Sequence, residues 1–156
     1  MLKIVTGSIA SGKTSKLLEL YDRDPAGDGF VAIKKMRGEK VSGYDAMRLK
    51  TKEQFSLVVR DEFLQEPMAI EAQIGPYLFD RSAMEKIYET FDELIRNRVQ
   101  PLYFDEVGLL EIEGKGFDSL IKKLVASGLD LILVVRQELV PAFLKRYQVK
   151  EYLIIS

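Results

Sequence analysis

Apolar positions along the chain fall into short β-branched runs separated by helical stripes. Residues 2–6 form a brief apolar run, which the pattern predicts as a buried strand. A glycine-containing turn follows, and a helix is expected over residues 12–21, with Leu17, Leu18 and Tyr21 on one face. Residues 22–29 have loop composition. Strands are predicted over residues 30–36 and 55–60, flanking the stretch 41–50, with turns at Gly38-Glu39 and Thr51-Lys52. Together these make a small antiparallel meander. Residues 61–76 carry only a weak pattern.

Residues 81–98 hold the clearest helix, because Met84, Ile87, Tyr88, Phe91, Leu94 and Ile95 recur at helical spacing. Ser82 with Glu85 three positions on is the expected capping box. A strand over residues 101–105 leads to a second stripe: Phe117, Leu120, Ile121, Leu124 and Val125, ended by Gly128. Residues 129–135 form a strongly apolar strand. Pro141 sits near the start of a last helix reaching Tyr147, and residues 152–155 form a final strand. Strands alternating with helices predict an α/β fold with a mainly parallel sheet covered on both faces. The 156 residues contain no repeat or linker, so one domain over residues 1–156 is expected.

The turn after the first strand carries chemistry. Gly7-Ser8-Ile9-Ala10-Ser11-Gly12-Lys13-Thr14 fits the pattern G-x-x-x-x-G-K-[ST] at every fixed position. The glycines let the backbone curl its amides into a nest for anions, and the following helix adds the positive end of its dipole. Lys13 can reach the β- and γ-phosphates, Ser15 continues the helix start, and the Thr14 hydroxyl is a hard oxygen suited to Mg²⁺. A chance match somewhere in such a chain is on the order of 1%, and its place between strand and helix lowers that further. A nucleoside triphosphate with Mg²⁺ is therefore the expected ligand.

Residues 102–106 form an apolar run ending in Asp105 and Glu106. Ligands of open α/β sheets bind beyond the carboxyl ends of the strands, so this pair should share an edge with the phosphate loop. Asp105 would then hold Mg²⁺ with Thr14, and Glu106 would orient or deprotonate the water attacking the γ-phosphate. Arg136, after the strand over 129–135, should reach the same edge and could neutralise charge there. Arg37 is a second such candidate. Glu111 either supports the acidic pair from behind or simply approaches a helix, and the second reading is favoured.

Composition narrows the chemistry. With no cysteine and no histidine, thiolate nucleophiles, disulfides, the usual zinc ligands and the commonest general base are absent. The net charge of −1 supplies no broad field for nucleic acid or anionic membranes, although Lys34, Lys35, Lys40, Arg48, Lys50 and Lys52 make the meander locally basic. No apolar run is long enough to span a membrane or to serve as a signal peptide, so a cytoplasmic protein is expected.

The chain resembles the small P-loop nucleoside-triphosphatases of the thermophile and cancer-related type. Besides residues 7–14, the likeness includes Gly29-Phe30, Arg37, Gly43-Tyr44-Asp45, Gly75-Pro76-Tyr77, and above all Asp105-Glu106-Val107-Gly108 with Leu110-Glu111 and Phe117. It departs at Ser8-Ile9-Ala10-Ser11, where that family usually has proline and a further glycine, and near Lys34-Lys35, where it often has acidic residues. The resemblance implies a three-layer, RecA-like P-loop fold with the acidic pair on its own strand. It also implies Mg²⁺-dependent hydrolysis of ATP, GTP and other nucleoside triphosphates to diphosphate and phosphate. Lys13, Thr14, Asp105 and Glu106 carry over, and Arg37 more loosely. A small-molecule or nucleotide kinase, or a nucleotide-dependent switch acting on a protein partner, could use the same loop. Glu106 favours hydrolysis.

Overall fold

A computed structural model describes residues 1–7, 12–107 and 109–156, with the backbone alone at 106, 107 and 109. Residues 8–11 of the phosphate loop, Gly108 and the Glu106 side chain lie outside it. Among the described residues nine strands form one sheet: β1 (Leu2–Val5), β2 (Asp28–Arg37), β3 (Lys40–Arg48), β4 (Gln54–Arg60), β5 (Ile70–Ile74), β6 (Tyr77–Asp80), β7 (Leu102–Val107), β8 (Leu131–Val135) and β9 (Tyr152–Ile155). Their spatial order is β5-β6-β4-β3-β2-β7-β8-β1-β9. The strands β2, β7, β8, β1 and β9 run parallel, and β3, β4, β6 and β5 continue the sheet as an antiparallel meander. The meander has two more strands than the sequence pattern indicates. β5 is mostly exposed and so carries no core stripe to betray it.

The parallel strands are apolar because both faces are covered. Every residue of β8 is buried. On one face, α1 (Lys13–Arg23) packs Leu17 and Tyr21 against Val5, Val31, Tyr103, Ile132 and Val134. On the other, α2 (Arg81–Arg96), α4 (Asp118–Ala126) and α5 (Val140–Arg146) cover Ile4, Phe30, Phe104, Leu131 and Leu133. This is the three-layer α/β architecture the alternation of elements predicts. A short α3 (Leu109–Ile112) lies between β7 and α4.

The cap of α2 differs from the expected one. The Asp80 carboxylate accepts from the amides of Ser82, at 2.8 Å, and Ala83, at 3.3 Å. Asp80 therefore occupies the capping position and Ser82 lies inside the helix. Both are good capping residues, and the extended backbone of β6 delivers Asp80 to the helix entrance first.

The strand order sets up the functional edge. β1, which runs into the phosphate loop, is separated from β7, which carries the acidic pair, by β8 alone. All three run parallel, so their carboxyl ends open on one side of the molecule. Among the described residues no helix is long and apolar enough to cross a membrane.

Candidate functional site

The backbone that leads into the phosphate loop is tied down. The Thr6 amide donates to the Ile155 carbonyl at 2.9 Å, and the Gln137 amide donates to the Gly7 carbonyl at 3.3 Å. At the far end, Gly12 adopts φ 80°, ψ 28°, a left-handed conformation that side-chain-bearing residues resist. From there α1 begins at once with Lys13. Its first turn contains no acidic side chain to compete for the exposed amides and the positive end of the dipole. Lys13, Ser15, Lys16 and Glu19 line a pocket at this helix start, together with Thr6 and Gly12.

Thr14 and Asp105 meet directly. The Thr14 hydroxyl donates to Asp105 Oδ2 at 2.7 Å, and the Ala32 amide donates to the same oxygen at 3.1 Å. Asp105 is buried, so these donors stabilise a carboxylate withdrawn from water. The arrangement also fits a magnesium ion. With its proton committed to Asp105, the Thr14 hydroxyl keeps its lone pairs available to a cation, and both groups are hard oxygen donors. Glu106 follows as the next residue of β7, and its side chain is outside the described residues.

Arg136 directly follows β8, next to the Gln137 amide that holds Gly7. Its guanidinium is half-exposed, and its 3.9 Å approach to Glu138 is too long and too solvated to fix it. Arg136 and Asp105 line one cavity, so the structure brings these two candidates together. It does not bring Arg37 to them. Arg37 lies five residues beyond Ala32 on β2, roughly 16 Å along the strand, where its guanidinium sits 4.8 Å from the centre of the Phe63 ring. The basic residues of the meander are partly neutralised. Arg48 pairs with the buried Asp28, Lys35 with Asp45, and Lys40 with Glu62.

Glu111 is more than a residue approaching a helix. It is buried, and its Oε2 accepts from the Phe117 amide at 2.9 Å. Gly116 makes room for it: at φ 57°, a Cβ there would stand 2.2 Å from Glu111 Oε2. The segment is pinned again from α5. The Tyr147 hydroxyl lies 2.8 Å from Asp118 Oδ1 and 3.2 Å from the Glu111 carbonyl, while Arg146 grips both Asp118 oxygens at 2.8 and 3.0 Å. Hydrogen bonding from Arg146, aided by Tyr147 and Lys122, outweighs burial and holds the Asp118 carboxyl down at about 2. Burial, then the contact with Asp118, pushes the Tyr147 phenol up. This network fixes the chain that follows the acidic pair.

A sequence profile described as NTPase matches residues 3–155. Two solved structures share the fold. The crystal structure of THEP1 from the hyperthermophile Aquifex aeolicus superposes with a TM-score of 0.70 at 16% identity, covering 100% of this chain and 89% of that one. The solution structure of a human cancer-related nucleoside triphosphatase gives a TM-score of 0.63 at 20% identity, covering 98% and 87%. A search of curated proteins finds no significant match.

Proposed function

Because the chain belongs to the NTPase family over residues 3–155, we propose that it hydrolyses nucleoside triphosphates to diphosphate and phosphate with Mg²⁺ at the Thr14–Asp105 edge. The observation that carries this reading is the 2.7 Å contact between those two side chains, which joins the phosphate-loop helix to the acidic strand. The amides from Gly7 to Lys13 and the dipole of α1 would cradle the phosphates, and Lys13 would add a mobile positive charge. Thr14 and Asp105 would hold Mg²⁺, which when bound neutralises charge on the phosphate oxygens. Glu106 would orient the attacking water and take its proton. Arg136, beside Gly7, would offset charge building on the γ-phosphate. Arg37 has no part in this scheme. A chain without cysteine loses nothing in a reducing cytoplasm.

Phosphate release from ATP, GTP, CTP and UTP tests the proposal, with water alone and with added nucleoside or nucleotide acceptors. Release with water alone and its loss in Lys13→Ala are the expected results. Release that depends on an acceptor would replace hydrolysis with phosphoryl transfer.

A further inference from the structure

A cavity of about 210 Å³ runs from Asp105 away from β1, beneath the meander and towards β6. It is built by the sheet register. Ala32 of β2 lies opposite Ala46 of β3, so both point to the same face. Two residues along on that face stand Phe30 on one strand and Tyr44 on the other. A pair of methyl groups thus sits between ring-bearing positions and leaves a slot above the sheet. Tyr44 and Tyr77 close one end, their rings 6.2 Å apart and steeply inclined. Phe104 and Phe117 close the other, edge to face at 5.1 Å. The charged groups in the lining are Asp105, Glu111 and Arg136, all at the end where β7 and β8 finish.

We propose that this cavity binds a planar aromatic molecule carrying a hydroxyl group, its ring among Tyr44, Tyr77 and Phe117 and its hydroxyl at Asp105, Glu111 and Arg136. Aromatic walls favour another ring through offset and edge contacts. A hydroxyl matches the mixed polar end because it can donate to a carboxylate and accept from a guanidinium. Ligand sites are concave clefts, mostly apolar, with a few polar groups at one place, and the slot over the paired alanines has that form. Its aromatic walls come from the meander, β7 and α4, while its polar end shares Asp105 and Arg136 with the proposed hydrolytic edge, so binding is measured without nucleotide.

The test is a titration of the full chain with 2-naphthol, without nucleotide. The protein has no tryptophan, so naphthol fluorescence reports binding against a weak background. Saturable binding is expected, with intermolecular NOEs from naphthol protons to the Tyr44, Tyr77 and Phe117 rings. Ala46→Leu fills the slot and should weaken naphthol binding at least tenfold while leaving the affinity for a fluorescent ATP analogue unchanged. Naphthalene, lacking the hydroxyl, should bind about tenfold more weakly than 2-naphthol, the scale of a hydrogen bond to a charged group. No saturable binding up to the solubility limit, or NOEs to other residues, overturns the proposal whether or not the variant folds. Equal affinity for naphthalene overturns the assignment of the polar end.

Discussion

The Thr14 hydroxyl donates to Asp105 Oδ2 across 2.7 Å, joining residues 91 positions apart in the chain. β8 lies between the strands that deliver them, so the bond forms only where all three strands end together. Removing the negative charge at Asp105 should separate metal-dependent from metal-independent nucleotide binding. In Asp105→Asn we expect nucleotide affinity with Mg²⁺ to fall about 10- to 100-fold, the scale of altering a metal's supporting shell. Affinity in EDTA should barely change. Calorimetric titrations in both buffers check this, and an equal loss in each would mean that Asp105 only holds Thr14.

Gly116 is predicted to be intolerant of even one methyl group. Alanine there would have to keep a left-handed backbone and push aside the Glu111 carboxylate. Each strained backbone position costs about 1–3 kcal/mol, and displacing Glu111 removes the acceptor of the buried Phe117 amide. Chemical denaturation of Gly116→Ala should therefore give a loss in that range or above it. A neutral result would mean that Glu111 has another rotamer of equal energy.

Asp118 should make stability fall in strong acid. Its carboxyl titrates near 2 in the fold against an ordinary 3.8, so the folded state holds that proton less tightly than the unfolded chain. The stabilisation is complete above about pH 4 and drains as pH falls towards 2. Other carboxylates titrate in the same window, so the informative quantity is the difference between the native chain and Asp118→Asn. The melting-temperature gap between them should be widest above pH 4 and close by about pH 2. A gap that stays constant across this window would remove Asp118 ionisation as its cause.

Local features of the site were legible because local residues build them. The phosphate loop is contiguous, its glycine at position 12 takes the φ that the motif requires, and Asp105 ends an apolar run as strand geometry demands. What escaped depends on contacts between distant segments. Glu111 is held by a turn at Gly116 and by the tyrosine that follows α5. The cavity needs Ala32 and Ala46 in register, and spacing along one strand says nothing of its partner. Arg37 was misleading because β2 continues past the edge where the other parallel strands stop, carrying its last residues away from Asp105.

Glu106 gives the sharpest separation of hydrolysis from its rivals. It directly follows Asp105 at the end of β7, where the phosphate-loop strand also ends. If Asp105 supports the metal, Glu106 is left to act on the attacking water. An interaction made mainly in the transition state changes kcat and leaves ground-state binding nearly intact. Glu106→Gln keeps the shape and one acceptor oxygen and loses the basic carboxylate. Hydrolysis should fall by roughly 10²-fold or more, the scale of a lost general base, with near-native nucleotide affinity. The variant should then hold unhydrolysed triphosphate long enough to recover it by rapid filtration. A phosphoryl transferase would respond differently, because the acceptor rather than water must be activated and transfer need not depend on this side chain. Single-turnover phosphate release from the native chain and from Glu106→Gln decides the matter. Native-rate hydrolysis by the variant would assign Glu106 a structural role and leave the water to be activated by another group at this edge.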